Sequence, residues 1–549
     1  MKQENVELEK QITALKKSLP EQEKRLHSLK TEVEAAEKAL EQAYYDAEKR
    51  FAEEHVRNAG KAPKSISGKM VPATLRSRLC INGEWDASTD RKNWHKVLLP
   101  LRMMNRYFLS KSLPVQPEKA KDVYGAYESI KGYEDFRLSP VVTAKKSFFR
   151  KEFQYDGSGS VVFVSEGIMG KAKYYCNGTL CGEYDGRIGI QNIELKNLRK
   201  GKNVFELEFE VGRINTRYGI LGDLYFDYVP SVRVADVYVK PSWRKASLSV
   251  SAELVNHTGR TVQAEIRQYA EKNGTIRLKL PSMKKEIPSG RTVEVKNRSG
   301  WADPLPWGIG GKYGNPDLYN FVTDVYIDGK LADRHIQPFG FREFWIWHTD
   351  FFLNGKRIVL QGDVGHAGCN ESKFRDVFWP LYRHDNINTL RYHDSDYWSV
   401  TAARAADRMG MLSYVQMYPE LHEPGTKRPY EKNYSPLEMW DETETHQWNL
   451  ENYKRWFRMF RNNPSVVIWS TDNEILTQAW DTVEKAPFNL RNDRIGAMYE
   501  KFMKTLDRDL VLTRDGDIGT MNSKGRWFED PPCDTANYHY PDFNIDQQV

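Results

Sequence analysis

From residue 357 onward the chain alternates short apolar runs with helical periods, and this alternation limits the possible folds more than any other feature. Arg357 to Gly362, Asn388 to Arg391, Met411 to Gln416, Val466 to Ser470, Leu510 to Thr513 and Asp534 to Tyr538 read as strands. Helical periods fall around Phe374 to His384 and over Val400 to Met409, Trp448 to Phe460 and Ile495 to Leu506. A run such as Val466-Val467-Ile468-Trp469 is apolar without alternation, as a strand buried on both faces of a parallel sheet must be. Repeated strand–helix units build a parallel sheet, and this number of them predicts a (β/α)8 TIM barrel of which about six strands are present. The fourth run is the most informative. Asn462-Asn463-Pro464 stops the helix before it, because a proline disfavours the helical region for its predecessor. The run then delivers Asn473 and Glu474 at its C-terminal end, where barrel enzymes hold their chemistry.

Upstream the texture is all-β. Ser147 to Phe153 and Ser160 to Val164 alternate, and Tyr174 to Glu183 reads as a hairpin closed by Asn177-Gly178. Lys200-Gly201-Lys202-Asn203 turns into another strand, Val204 to Val211. A second β-block of about a hundred residues opens at Val232 and has the size of an immunoglobulin-like sandwich. The expected organisation is a coiled-coil helix over 1–58, a linker over 59–74, a jelly-roll sugar-binding domain over 75–230, an immunoglobulin-like β-sandwich over 231–338 and the barrel over 339–549.

The N-terminal segment has a different periodicity. Leu8, Ile12, Leu15, Leu19, Gln22 and Leu26 begin a seam of alternating four- and three-residue steps that continues through Leu29, Val33, Ala36, Leu40, Ala43 and Ala47. Glu, Lys and Gln fill most of the remaining positions, as in a heptad coiled coil, and homo-oligomerisation through this helix is the partner expectation. Pro20 is expected to break the helix locally or to start a second one.

The balance of 81 basic and 75 acidic residues, with no dense basic run among aromatics, gives no indication of nucleic acid. Five scattered cysteines form no CxxC pair, so neither a zinc site nor a disulfide framework is indicated, and no cofactor or metal is expected. No stretch is long and apolar enough for a membrane-spanning helix. A charged N-terminus without a signal-peptide core points to a cytoplasmic location, or to a periplasmic or secreted one should Met1 not be the true start.

Taken in order, the motifs resemble family 2 of the glycoside hydrolases, the family of β-galactosidase, β-glucuronidase and β-mannosidase. The carriers are Ile81-Asn82-Gly83-Glu84-Trp85-Asp86, Cys176-Asn177-Gly178, Lys200-Gly201-Lys202-Asn203, Phe339-Gly340-Phe341-Arg342 and Asn462 to Ser470 with Asn473-Glu474. The resemblance covers residues 75 to 549 and implies retaining hydrolysis of terminal β-glycosidic bonds in oligo- or polysaccharides. It assigns Glu474 as general acid/base and Asn473 as the partner of the sugar 2-hydroxyl. It makes Arg391 a structural arginine that orients a carboxylate, and His366, His393, Trp469, His539 and Tyr540 sugar contacts. Trp469 also reads as a core residue. Two stretches depart from the family pattern. Val364-Gly365-His366-Ala367 lacks the asparagine and acid that flank this histidine, and Arg391-Tyr392-His393-Asp394 is one residue short and has no following proline. The nucleophile is expected beyond Val549, on a seventh strand, and this chain is then inactive as it stands. The alternative is a non-catalytic carbohydrate-binding or scaffold protein.

Overall fold

The computed structural model describes residues 2–64, 68, 75–103, 146–185, 189–210, 218–220, 222–364, 378–392, 397–417, 443–473, 485–515 and 534–537. One helix, Lys2–Ala59, runs through Pro20 without interruption. The expected break is therefore corrected. A proline removes one backbone hydrogen bond, and the long run of Glu, Lys, Leu, Gln and Ala on either side carries the helix past that loss.

The last turns of this helix dock on the body. Tyr44 is buried against Trp347, and Phe51 stacks on Trp345 at 4.6 Å between ring centroids. His55 stacks on Trp243 at 3.9 Å, and the Asn58 amide donates to the Arg244 carbonyl at 3.0 Å. Glu48 accepts from the Arg357 backbone N–H at 3.0 Å. A Cβ on Gly355, whose φ is +78°, would lie 2.4 Å from the Phe51 ring, so the hairpin turn at 355 must stay a glycine for the helix to seat.

The first sandwich packs a four-stranded antiparallel sheet, with Ser77–Cys80 and Gln191–Glu194 at its edges, on a six-stranded one that includes Lys146–Tyr155 and Gly201–Glu210. Trp85, Phe149, Phe163, Phe205 and Phe226 fill the space between them. The two turn motifs read from the sequence interlock here. Asn177 and Gly178 have φ of 47° and 78°, the left-handed pair that a two-residue hairpin of this twist requires. The Asn177 amide donates to Asn203 Oδ1 at 2.8 Å, and the buried Asn203 amide bonds the Arg199 carbonyl at 2.7 Å. One asparagine thus pins the turn that the other closes.

The second sandwich pairs a three-stranded sheet (Val232–Ser242, Ser247–Asn256, Thr292–Gly300) with a five-stranded one centred on Val262–Lys272 and Tyr319–Ile327. Its core runs from Val234 and Leu254 through Trp301 to Phe339 and Phe341.

Among the described residues, six parallel strands then follow in chain order: Gly362–Val364, Thr389–Tyr392, Leu412–Gln416, Val466–Asn473, Val511–Asp515 and Thr535–Asn537. Helices Trp379–His384, Tyr397–Met409, Thr443–Phe460 and Lys485–Leu506 connect them. The first strand starts later than the sequence suggests. Lys356–Ile358 belongs to a separate antiparallel sheet with Phe344–Trp347 and Asp350–Leu353. That small sheet packs Phe344, Leu353 and Ile358 against Leu412, Ile468 and Val511 of the parallel strands and forms a floor beneath them.

Candidate active site

The fourth strand is held in place at its N-terminal end by residues of the motif that announced it. The Asn462 side chain bonds Val239 N–H at 2.9 Å and the Val237 carbonyl at 2.8 Å, tying this turn to the second sandwich. The Asn463 amide donates to Asp407 Oδ2 at 2.6 Å, and Ser465 N–H donates to Asp407 Oδ1 at 2.9 Å. Arg342 donates to the carbonyls of Pro464 (2.9 Å) and Val466 (2.6 Å), so the Phe339-Gly340-Phe341-Arg342 junction reads directly onto this strand. Gly340 allows that approach, since a Cβ there would meet Trp307 at 2.9 Å and Pro464 at 3.0 Å. The motif is thus a clamp between three elements at the N-terminal end of the strand.

Burial pushes the Asp407 carboxyl up to about 6 from 3.8, against the bonds from Ser465 and Asn463 that favour its charged form. Its folded pKa lies above its unfolded one, so the folded state holds the proton to higher pH. Its contribution to stability is greatest below about pH 4 and is lost as pH rises through about 6. Relative to Asp407→Asn, the wild type is expected to lose roughly 3 kcal/mol across that window. Urea midpoints of both proteins at several pH values check this, and a gap that stays constant with pH contradicts it.

At the C-terminal ends of the strands a buried polar cluster sits on the inner face. Arg391 Nε donates to Asp515 Oδ2 at 2.9 Å and its Nη2 donates to Gln416 Oε1 at 2.8 Å. The Tyr414 hydroxyl donates to Asp515 Oδ1, and burial beside that carboxylate raises the Tyr414 pKa well above its ordinary value. Asp515 is completely buried, and the Arg391 side chain is 11% exposed. Arg391 and Asp515 stand on the second and fifth strands, about 14 Å apart across a flat sheet. Side chains leave a sheet perpendicular to its plane, so a 2.9 Å contact across that gap requires the sheet to curl around the pair. The cluster therefore lies inside the curve.

The outer face is separate. Arg514, one residue from Asp515, points the other way and bonds Glu500 of helix Lys485–Leu506 at 2.6 Å. Trp469 also faces outward. It is 3% exposed, with its ring 4.9 Å from that of Trp456, and Phe457 and Phe460 complete its surroundings. The expectation that Trp469 contacts sugar is corrected: it packs the strand against helix Thr443–Phe460.

Of the other candidates, Arg391 lies in strand Thr389–Tyr392 and donates to the Asp515 carboxylate. The Asn473 backbone lies in register with Asp515, which places the strand end beside the cluster. Glu474, His366, His393, His539 and Tyr540 lie outside the described residues. Asp515, Gln416, Tyr414 and Asp407 did not emerge from the sequence. A signal for Asp515 was present, since Arg514-Asp515 ends an apolar run with one charge of each sign, as expected where the two faces of a strand end both need a polar group.

Comparison with known proteins extends this picture. The model of glycosyl hydrolases family 2 matches residues 232–342, and that of the family 2 TIM barrel domain matches residues 345–520. A β-galactosidase of Priestia megaterium is 26% identical over 286 residues, covering 47% of this chain and 25% of its own. One from Vibrio vulnificus is 22% identical over 452 residues, covering 75% of this chain and 38% of its own. Among solved structures, β-glucuronidase 2 of Bacteroides uniformis superposes with a TM-score of 0.59 at 18% identity, over 80% of this chain and 52% of that one. A β-galacturonidase of Eisenbergiella tayi gives 0.59 at 15% identity, over 81% of this chain and 73% of that one. The chain thus spans a quarter to two fifths of these curated relatives and about half of the solved β-glucuronidase chain. Two sandwiches ahead of a TIM-barrel domain, a junction arginine clamped onto the fourth strand and both family models in matching order lead to one assignment: the chain belongs to family 2 of the glycosyl hydrolases.

Proposed function

We propose that the protein carrying this chain hydrolyses terminal β-glycosidic bonds with retention of configuration. Glu474 is the general acid/base: it protonates the leaving oxygen and then takes the proton of the attacking water. Asn473 binds the sugar 2-hydroxyl, and His366, His393, His539 and Tyr540 contribute the remaining sugar contacts. The nucleophile is a second carboxylate about 5 Å from Glu474.

The observation that carries this reading is the position of Asn473. Its backbone ends the fourth parallel strand in register with Asp515 of the buried Arg391–Asp515 pair, at the C-terminal end of the sheet. That is where a barrel presents catalytic groups. The Arg391 cluster then acts as a rigid charged floor, fixing the strand ends on which the acid/base and its amide neighbour depend. Galactosides, glucuronides and galacturonides are the first substrates to try, because relatives acting on them match this chain. A panel of aryl β-glycosides of these sugars and of mannose, incubated with the complete protein, is expected to release phenol from at least one. Release from none of them, by a folded protein, contradicts the proposal.

A further inference from the structure

Among the described residues, the N-terminal helix touches the body along its last turns. Ahead of Tyr44 it stands clear, with Leu15, Leu19, Leu26, Leu29 and Val33 each 48–65% exposed and Leu40 43% exposed. These side chains lie along a single seam. Ile12, Leu19, Leu26, Val33 and Leu40 repeat every seven residues, and Leu15, Gln22, Leu29 and Ala36 fall three residues after the first four of them. The stretch from Leu15 to Leu40 is nearly four heptads, long enough for a stable coiled coil.

We propose that this seam is covered by the same seam of a second copy of the chain, with the two helices antiparallel and Leu26 packed opposite Leu29 of the other copy. The flanking charges select this arrangement. Lys16, Glu23, Lys30 and Glu37 line one side of the seam in alternating sign, and Arg25 and Glu32 line the other. In a parallel, in-register pair each residue on the second side faces the residue five positions on in its partner helix. Arg25 would then meet Lys30 and Glu32 would meet Glu37, each twice by symmetry, and all of these contacts are repulsive. In the antiparallel pair each side faces itself. Lys16 then meets Glu37, Glu23 meets Lys30 and Arg25 meets Glu32, each twice and all attractive. Sliding one helix by a heptad in either direction brings Lys30 onto Lys30 or Glu23 onto Glu23. Of these three registers, the stated one removes every like-charge contact and keeps the longest overlap of the two seams.

Packing favours the same choice. The seam is rich in leucine in its first half and turns to alanine after Val33, apart from Leu40. Antiparallel pairing sets Leu19 against Ala36 and Leu15 against Leu40, so large side chains fill the space that the alanine leaves. A parallel pair would stack Ala36 on Ala36, leaving a void.

Light scattering of the full chain across a concentration series is expected to give a dimer that dissociates on dilution. Lys30→Glu places two glutamate pairs at the interface, and Kd is expected to rise roughly tenfold, since each exposed ion pair contributes little alone. The double variant Glu23→Lys/Lys30→Glu reverses both members of the pair and is expected to return Kd to near the wild-type value. In a parallel dimer Lys30→Glu would relieve the Arg25 repulsion and tighten association. Tightening by Lys30→Glu, a monomer at every concentration, or a trimer or larger species would each overturn the proposal.

Discussion

Arg391→Leu is expected to destabilise the barrel domain by about 3–5 kcal/mol, the largest stability effect predicted for any single residue of this chain. The reason lies in what it leaves behind. Asp515 has no exposed surface, and its two oxygens are held by Arg391 and Tyr414. Removing the guanidinium takes the charged partner from a carboxylate buried away from water, and Gln416 loses its bond from Arg391 as well. Adding Asp515→Leu is expected to recover part of the loss, because an apolar pair avoids the uncompensated charge. Urea unfolding of the wild type and both variants measures this. A single variant within about 0.5 kcal/mol of wild type would mean that the pair is solvated, and the polar floor assigned to the site would be lost.

On activity, Glu474→Gln is expected to have the largest effect, lowering kcat/KM on substrates with poor leaving groups by about 10³-fold. Gln cannot donate the proton that the departing sugar oxygen needs. Aryl glycosides whose phenols leave without protonation are expected to lose much less in the first step and to accumulate the glycosyl-enzyme, because the deprotonation of water is lost too. The variant is also expected to lose the high-pH limb of the rate profile, which reports the acid form of this residue. Equal losses on good and poor leaving groups, with the pH limb intact, would contradict the assignment.

Much of this was legible before the structure. The fourth strand and its turn followed from an apolar run between a proline and a polar cluster, and the Asn177-Gly178 hairpin followed from the left-handed backbone it requires. Other features escaped for definite reasons. A strand buried on both faces has no polar alternation, so its sequence does not tell inside from outside. Trp469 was therefore assignable to the sugar or to the core, and only its contact with Trp456 settles the matter. Lys356–Ile358 has the composition of a barrel strand but spends it on the antiparallel floor, a choice made by Phe344 and Leu353, distant partners that local sequence does not reveal. Pro20 carries a breaking signal that the flanking helix formers outweigh. The Arg391–Asp515 pair links residues on strands that are neighbours neither in the chain nor in the sheet, and it exists only once the sheet curls.

One experiment bears on mechanism and residue together: azide added to Glu474→Ala of the complete protein, with an activated aryl β-glycoside as substrate. Removing the carboxylate opens space and removes the negative charge that repels an anionic nucleophile, so azide attacks the glycosyl-enzyme where water no longer can. The predicted result is a crippled variant whose turnover azide restores, with the β-glycosyl azide as product. Turnover unaffected by the substitution, or an α-glycosyl azide, would contradict Glu474 as the acid/base of a retaining glycosidase.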